Sequence, residues 1–478
     1  MFINREQELT MLEQRHGSEQ AELFVLYGRR RVGKTELLRA FCQGKRHVFF
    51  VADLGSEALQ LAAFSRAIGE QLLGPGIPLA FSTWDAAFEY LADAARTARL
   101  VVVLDEFGYL AQANPAFPSI LQRLWDTRLK DTRIFLVLCG SYVSLMEREV
   151  LAYRAPLYGR RTGQYLLSAL DFPVLPLFFP RYSSEELVSV YAVLGGTPAY
   201  LRQFDDRYSL LENIRDHILT PQTYLYDEPR FLLLQEVREP RSYFAVLEAM
   251  ARGNTRPNEI AQAAGLGGGA AAMPYIKTLM ELRLVDRQVP ATERHSHKSR
   301  KGLHRISDPF FRFWFRFVYP HRSALEEGRT AQVLTQQVAP QLDAFTAAAF
   351  EDLCRQHIWK LELPFLPQRV GAWWSPQGEI DVVAISDEAR AVLGGECKWS
   401  TKPIGTNILE DLRHKVQLLQ REGAWDRVYY ILYSRAGFTT ALQEAALQGE
   451  VILVSPQDLV QMTDEQGPIS CRQQATNE

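Results

Sequence analysis

The sequence predicts an α/β protein whose first part is built on a doubly wound parallel sheet. Short apolar stretches recur at 23–27, 48–51, 100–104 and 134–138, as expected for strands that are buried on both faces of such a sheet. Helical stretches at 59–73 and 84–96 alternate with these strands. Polar residues follow the strand ends, which is where open parallel sheets bind their ligands.

The composition is that of a chain with several packed domains. Of its 478 residues, 47% are hydrophobic and 11% aromatic, and a chain this long is expected to hold about three domains. The formal net charge is −3, so a nucleic-acid site has to be a local basic patch. The five cysteines are scattered without a C-x-x-C pair, which argues against zinc and favours a reducing, cytoplasmic location. We expect no membrane span, because no apolar stretch approaches the ~20 residues required.

The strand at 23–27 leads directly into the motif G-x-x-x-x-G-K-T. Backbone N–H groups of such a loop wrap phosphates, and an ATP-binding set is predicted: Gly28, Arg29, Arg30, Arg31, Val32, Gly33, Lys34 and Thr35. Lys34 would reach the β- and γ-phosphates, and Thr35 would ligate Mg²⁺. A plain glycine turn before a helix is the alternative.

Two carboxylates, Asp105 and Glu106, follow the strand at 100–104. We assign Asp105 to Mg²⁺ opposite Thr35, and Glu106 to activation of the attacking water. An ordinary strand-to-loop transition is the alternative. Ser141 follows the strand at 134–138 and is either a contact to the γ-phosphate or the water, or a turn hydroxyl.

Arg160 and Arg161 are candidates to stabilise charge on the γ-phosphate. They would act in cis or from a neighbouring subunit, and the second case requires a homo-oligomer. A solvated arginine pair is the alternative.

These motifs, with the opening Phe2-Ile-Asn-Arg5-Glu6 and the string Gly195-Gly196-Thr-Pro-Ala-Tyr200, resemble the archaeal-type ATPase family of AAA-like, STAND-related P-loop ATPases. The resemblance covers roughly residues 1–230. It implies a P-loop NTPase core, ATP binding and a catalytic glutamate, here Glu106, beside Lys34. We predict the core over 1–175 and a helical lid over 176–235.

Residues 236–320 change character. Helices predicted at 243–252, 256–265 and 270–283 precede strands at 284–289 and 303–306, and this order resembles a winged helix. The stretch 294–305 of the hairpin contains no acidic residue and carries the basic residues Arg294, Lys298, Arg300, Lys301 and Arg305, which suit contact with DNA phosphates. A hairpin with incidental charge is the alternative. The aromatic stretch at 308–318 is expected to pack as a core or seam.

A further domain is predicted over 335–465, and 466–478 is expected to be a flexible tail. Strands at 378–385 and 391–399 carry Asp381 and Glu396 at a hairpin-like spacing, and Glu396 shares a strand face with Lys398. Such carboxylates bind Mg²⁺ for phosphodiester cleavage, while the lysine orients the water. We expect Lys415 and Gln417, on the following helix, to lie on a solvated face. An approach to the scissile phosphate is the alternative.

This set resembles the PD-(D/E)xK restriction-endonuclease-like superfamily, and more narrowly the C-terminal domain often fused to archaeal-type ATPases. The resemblance implies that Glu351 is the acidic residue of the first helix. Ile380, rather than Pro, precedes Asp381. The leading interpretation is an ATPase that acts on DNA through a Mg²⁺-dependent nuclease-like domain, in DNA processing or genome defence. The alternative is an ATP-dependent switch whose later domains only bind DNA or protein partners.

Overall fold

The computed structural model describes residues 3–18, 20–237 and 239–461. The predicted tail at 466–478 lies outside them. The chain folds into two compact units, which divide between Ala169 and Leu170. Within the described ranges, no helix is both long enough and apolar enough to cross a membrane.

The first unit contains a five-stranded sheet. Its strands are β1 (Glu22–Tyr27), β2 (His47–Val51), β3 (Leu100–Asp105), β4 (Ile134–Gly140) and β5 (Gly163–Leu166). They lie in the order β2–β3–β4–β1–β5, and every pairing is parallel. The predicted parallel α/β sheet is therefore confirmed.

Helices cover both faces of this sheet, and every residue of β1, β3 and β4 is consequently buried. Alternate β1 residues enter separate cores: Leu23 and Val25 join one cluster, and Phe24 and Leu26 join another. The helices are α1 (Glu6–Gly17), α2 (Lys34–Cys42), α3 (Glu57–Leu72), α4 (Trp84–Thr97), α5 (Phe107–Ala113), α6 (Phe117–Leu124) and α7 (Val143–Met146).

The second unit begins with helices and a hairpin. The helices are α8 (Ser184–Leu194), α9 (Pro198–Leu201), α10 (Leu210–Ile214), α11 (Tyr224–Glu236), α12 (Pro240–Ala251), α13 (Pro257–Ala263) and α14 (Gly269–Glu281). The strands β6 (Val285–Gln288) and β7 (Leu303–Ile306) pair antiparallel. Three helices and a hairpin thus occur where the sequence analysis expects them, while the winged-helix interpretation and the lid role of the earlier helices stay predictions.

The aromatic stretch that follows is packed inside the second unit. Phe310, Phe311, Trp314 and Phe315 are fully buried, and the indole Nε1 of Trp314 donates to the carbonyl of Tyr226 at 2.7 Å. This stretch forms α15 (Pro309–Phe313) and its continuation, and α16 (Arg322–Glu326) and α17 (Thr330–Val333) come next.

A second five-stranded sheet completes the described chain. Its strands are β8 (Arg369–Ser375), β9 (Gly378–Ser386), β10 (Ala391–Lys398), β11 (Arg427–Ser434) and β12 (Ile452–Val454). The first three pair antiparallel and the last three parallel, so the sheet is mixed. The helices of this part are α18 (Leu342–His357), α19 (Thr406–Leu419), α20 (Thr440–Leu447) and α21 (Pro456–Val460).

Candidate functional site

The motif residues of the first unit gather at one edge of its sheet. The register places Tyr27 opposite Gly140 and Leu104 opposite Leu138. The segments that follow β1, β3 and β4 therefore leave the sheet side by side. They carry the glycine-rich loop, the Asp105–Glu106 pair and Ser141 respectively, and a ligand on the loop would contact all three.

Lys34, the first residue of α2, is turned into the glycine-rich loop. Its Nζ donates to the carbonyl oxygens of Gly28 and Arg29, both at 2.9 Å, and the residue is only 5% exposed. Burial lowers the pKa of this ammonium group. A bound phosphate would supply the counter-charge that these neutral carbonyls lack.

Gly28 is required by close packing. A Cβ at this position would overlap the carbonyl of Leu167. Leu167 comes directly after β5, the strand that neighbours β1. Any larger residue would push the start of the loop away from the sheet edge.

Arg5 ties the loop to the first helix. Its Nη1 pairs with Glu8 Oε1 at 2.8 Å, and its Nη2 donates to the carbonyls of Val32 at 3.1 Å and Ser168 at 2.7 Å. The sequence predicts no contact for Arg5, which enters there only through the resemblance of the opening residues to the ATPase family. Arg5 and Glu8 are three residues apart at the start of a helix, and this spacing could have predicted their ion pair.

Thr35 and Asp105 form the predicted magnesium position. Thr35 Oγ1 donates to Asp105 Oδ2 at 2.7 Å, so a hydroxyl and a carboxylate oxygen meet beside the loop. Hard oxygen donors of this kind suit Mg²⁺, and these two residues would hold it against the phosphates.

Glu106 has a strained backbone and a restrained side chain. Its φ and ψ are 52° and 44°, in the left-handed region that non-glycine residues seldom adopt. One carboxylate oxygen accepts from Ser141 Oγ at 2.6 Å. The other, Oε2, is buried and lacks a hydrogen-bond partner among the described residues. That oxygen is therefore free to accept a hydrogen bond from a bound molecule.

Arg30 lies against two tyrosines rather than in solvent. Its Nη2 donates to the hydroxyl of Tyr142 at 2.7 Å, and its guanidinium stands 4.8 Å from the centre of that ring. The second ring, Tyr109, packs edge-on against Tyr142. This part of the loop is therefore attached to the segment that carries Ser141.

Arg160 and Arg161 lie away from the glycine-rich loop of their own chain. Both precede Gly163, where β5 begins, and this residue pairs with Phe24 in the parallel register. They therefore lie at the amino edge of the sheet, opposite the loop. Arg160 pairs there with Asp126 at 3.1 Å, and a contribution in trans stays a prediction.

The second candidate site lies where β9 and β10 run side by side. Gly395 pairs with Val382, and the same register sets Asp381 opposite Glu396 on one face. Lys398 Nζ pairs with Glu396 Oε1 at 2.7 Å, and Asp381 Oδ2 accepts from the backbone N–H of Cys397 at 2.9 Å. The three predicted residues are thus brought together, and their catalytic role stays a prediction.

Lys415 belongs to this site, and the expectation of a solvated position was wrong. Its Nζ lies 3.1 Å from Glu396 Oε2, because α19 packs closely over β10. Gly394 permits this approach, since a Cβ there would overlap the side chain of Val416. Glu396, whose side chain is 6% exposed, is therefore neutralised by two lysines.

The acidic groups of this site influence one another. Burial, and then the charge of Glu396, raise the pKa of Asp381 to about 6. Burial, and then the charge of Asp381, raise the pKa of Glu351 to about 7. Within the described ranges, no group of three or more His, Cys, Asp or Glu side chains is placed so that it could hold a metal ion. Asp381 and Glu396 fit Mg²⁺ only as a pair of oxygen donors, and this pair would be completed by water or substrate.

The basic hairpin loop packs along the sheet edge at β8. The backbone N–H of Ala291 donates to the carbonyl of Ala372 at 2.8 Å. Arg294 lies 3.5 Å from Asp387, and Lys301 lies 3.0 Å from Glu293. Two of the five predicted DNA contacts thus have acidic neighbours. Lys298 and Arg300 are exposed, and Arg305 is half-buried.

Comparisons with known proteins support the first-unit assignment. Residues 2–204 match a family described as an ATPase domain predominantly from Archaea. Residues 314–411 match a family described as archaeal and bacterial proteins of unknown function.

Among curated relatives, an uncharacterized protein of Methanocaldococcus jannaschii is 34% identical over 403 residues, covering 84% of this chain and 88% of the relative. An uncharacterized ATP-binding protein of that organism is 50% identical over 46 residues, which are 10% of this chain and 78% of the relative. A solved Walker-type ATPase of Pyrococcus abyssi aligns with a TM-score of 0.49 at 21% identity, over 66% of this chain and 96% of its own. The chain therefore belongs to the archaeal-type ATPase family, and its residues 2–204 form the ATPase domain.

Proposed function

We propose that this ATPase couples ATP binding and hydrolysis in the first unit to Mg²⁺-dependent cleavage of nucleic acid, most simply DNA, in the second. One observation supports the second activity above all others. Asp381 and Glu396 face each other across β9 and β10, with Lys398 Nζ 2.7 Å from Glu396. Carboxylates and a lysine in this arrangement suit hydrolysis of a phosphodiester.

The first unit supplies the residues that ATP hydrolysis requires. Lys34 exchanges its two loop carbonyls for phosphate oxygens. Thr35 and Asp105 would hold Mg²⁺, which would supply positive charge to the phosphates. Glu106 accepts a proton from the attacking water through the oxygen that has no partner in the described chain. Ser141 holds the other oxygen of Glu106 and fixes the orientation of the carboxylate.

In the second unit, Asp381 is the carboxylate that can take up a cation. It accepts a backbone N–H and forms no ion pair among the described residues, whereas Glu396 already pairs with Lys398 and Lys415. Lys398 is 37% exposed along its side chain and can reach a phosphate oxygen while it remains beside Glu396.

The ATPase assignment is tested with three variants of the whole chain. Lys34→Ala should abolish nucleotide binding, because the loop loses the ammonium group that is expected to contact the β- and γ-phosphates. Glu106→Gln should bind ATP but hydrolyse it about 10²–10⁴-fold more slowly, which is the usual contribution of a general base. Lys130→Ala, at an exposed position, is the control. Unchanged turnover in Glu106→Gln would show that another group activates the water.

The nuclease assignment is tested by incubating DNA with the protein and Mg²⁺, with and without ATP. Asp381→Asn and Lys398→Ala should abolish cleavage while ATP hydrolysis continues, and Lys402→Ala, at an exposed position, should cleave normally. An absence of cleavage under every nucleotide condition, with intact ATP turnover, refutes the nuclease. The neutralisation of Glu396 by two lysines would then favour an ATP-dependent switch that only binds its partners.

Lys298 and Arg300 are proposed to contact DNA phosphates from the hairpin loop. Replacing both with alanine should weaken DNA binding and reduce the slope of log affinity against log salt by about two, since each lost phosphate contact removes about one unit. An unchanged slope would exclude this contact.

A further inference from the structure

A cavity of about 530 Å³ lies inside the second unit, where the hairpin strand β7, the helix α18 and the strands β8 and β9 meet. Glu351 and Asp381 are among its lining residues, so the cavity borders the second candidate site. Arg305, one of the five basic residues of the hairpin, lines it as well. The hairpin and the carboxylates therefore share one chamber.

The positive charge of the chamber comes from two arginines in particular. Arg312 pairs with Asp352, and Arg355 pairs with both Asp352 and Glu351, so acidic groups already engage these two arginines. Arg305 and Arg316 form no direct ion pair in the described part of the chain, and Arg305 stands opposite Asp286 across the hairpin and interacts electrostatically with Asp286 and Glu351. Arg316 donates instead to the neutral side chain of Gln341 at 2.8 Å. An anion that enters the chamber would find two guanidinium groups available for bidentate contact.

Another wall of the chamber is aromatic. Phe317, Phe345 and Trp374 line it, and Phe345 and Trp374 are half-exposed. Phe345 is held in place by the ring of Phe317, 5.4 Å away between centroids. A planar, unpaired base can stack on such rings, and base–aromatic stacking is a main source of affinity for single strands.

We propose that this chamber binds one phosphorylated, unpaired nucleotide, with its phosphate on Arg305 and Arg316 and its base against Phe345 and Trp374. The inference rests on the function proposed for the second unit and names its substrate class. The nucleotide comes either from a free mononucleotide or from the end of a single strand. The volume lies within the ~300–1,000 Å³ range of small-ligand pockets, which suits a single nucleotide rather than a stretch of duplex. A paired base would have to leave its stack to enter.

The test measures binding without metal, so that its outcome does not depend on cleavage. Full-length Lys34→Ala protein is used, because this change removes competition from the ATP loop. The probes are a 5′-phosphorylated single-stranded oligonucleotide, the blunt duplex of the same sequence, and dCMP. Binding of the single strand should exceed that of the blunt duplex. Arg305→Ala and Arg316→Ala should each weaken it about 10-fold to 100-fold, the effect of losing one charge-assisted hydrogen bond.

Phe345→Leu separates the chamber from general electrostatic attraction, because it removes the aromatic face without changing charge. It should weaken single-strand binding by about tenfold, and Arg329→Ala, an exposed arginine of the same unit, should have no effect. Far-ultraviolet circular dichroism checks that each variant is folded. Binding of dCMP with the same arginine dependence identifies a free mononucleotide as one source, and binding of the strand alone identifies a strand end.

Equal binding of duplex and single strand, or full binding by Arg305→Ala and Phe345→Leu, overturns the proposal. Its failure is distinguishable from failure of the proposed function. If single-strand binding depends on the chamber residues but no DNA is cleaved, the proposed binding site is retained and the proposed nuclease activity is rejected. If DNA is cleaved equally well by the chamber variants, the nuclease activity is retained and the proposed binding site is rejected.

Discussion

The bridge formed by Arg5 gives the most quantitative prediction, because its partners are buried and few. Arg5 is 8% exposed and Glu8 is 9% exposed, and the guanidinium also holds the carbonyls of Val32 and Ser168. Arg5→Ala leaves a buried carboxylate without its cation, a loss that typically costs ~3–5 kcal/mol. We expect the free energy of unfolding of the first unit to fall by that amount.

The same change should loosen the ATP loop. One charge-assisted bond to a loop carbonyl contributes ~1.5 kcal/mol or more, so ATP affinity should fall at least about tenfold. Arg5→Lys keeps a positive charge beside Glu8 but cannot reach both carbonyls. Its free energy of unfolding should lie between those of the native chain and Arg5→Ala, while its ATP affinity should be nearly as low as that of Arg5→Ala. The double variant Arg5→Ala, Glu8→Ala should be more stable than Arg5→Ala alone, because no unpaired carboxylate remains.

Hydrogen exchange followed by mass spectrometry measures this locally, since peptides that span β1 to α2 report on the first unit alone. ATP affinity is measured on the same samples. If these peptides exchange as slowly in Arg5→Ala as in the native chain, and the variant binds ATP equally tightly, the role assigned to Arg5 is refuted.

Three further outcomes follow from other contacts. Gly394→Ala should destabilise the second unit by ~1–3 kcal/mol, the usual cost of overpacking, and leave ATP turnover intact, measured by urea unfolding and phosphate release. Ser141→Ala should lower turnover with little change in ATP affinity, because Glu106 loses the bond that orients it; an unaltered kcat would contradict this. Folded Glu351 retains its proton to about pH 7 rather than 4.5, so its contribution to stability is greatest below pH 4.5 and is lost as the pH rises towards 7. In Glu351→Gln the urea midpoint of unfolding should fall less steeply between pH 4.5 and 7 than in the native chain. If both proteins show the same dependence of the midpoint on pH, the buried environment assigned to Glu351 is wrong.

The grouping of the predicted ATP-site residues at one sheet edge could be anticipated from the sequence. Gly28 to Thr35 form one contiguous motif in which Lys34 and Thr35 begin α2, and Asp105, Glu106 and Ser141 lie at or just after the ends of apolar strands, so strand order brings them together. The position of Arg160 and Arg161 away from the loop could also have been read from the sequence. Residues that precede a parallel strand lie at the edge opposite to the loops that follow its neighbours, and β5 begins just after them.

Other features depend on packing that no local pattern reveals. The bonds from Arg5 to Val32 and Ser168 join residues that are distant in sequence. Lys415 meets Glu396 only because Gly394 lets α19 approach the sheet. The sharing of one chamber by Arg305 and Asp381 likewise depends on how the hairpin folds against β8.

The backbone bond between Ala291 and Ala372 has a consequence for aggregation. β8 is the outermost strand of its sheet, and outermost strands with unpaired N–H and C=O groups are templates for pairing with other chains. The hairpin loop covers part of this strand, and Arg369 fixes the cover by donating to the carbonyl of Ala291 at 3.0 Å. A fragment that starts near residue 335 would lose this cover, and it should associate edge to edge while the longer chain remains dispersed.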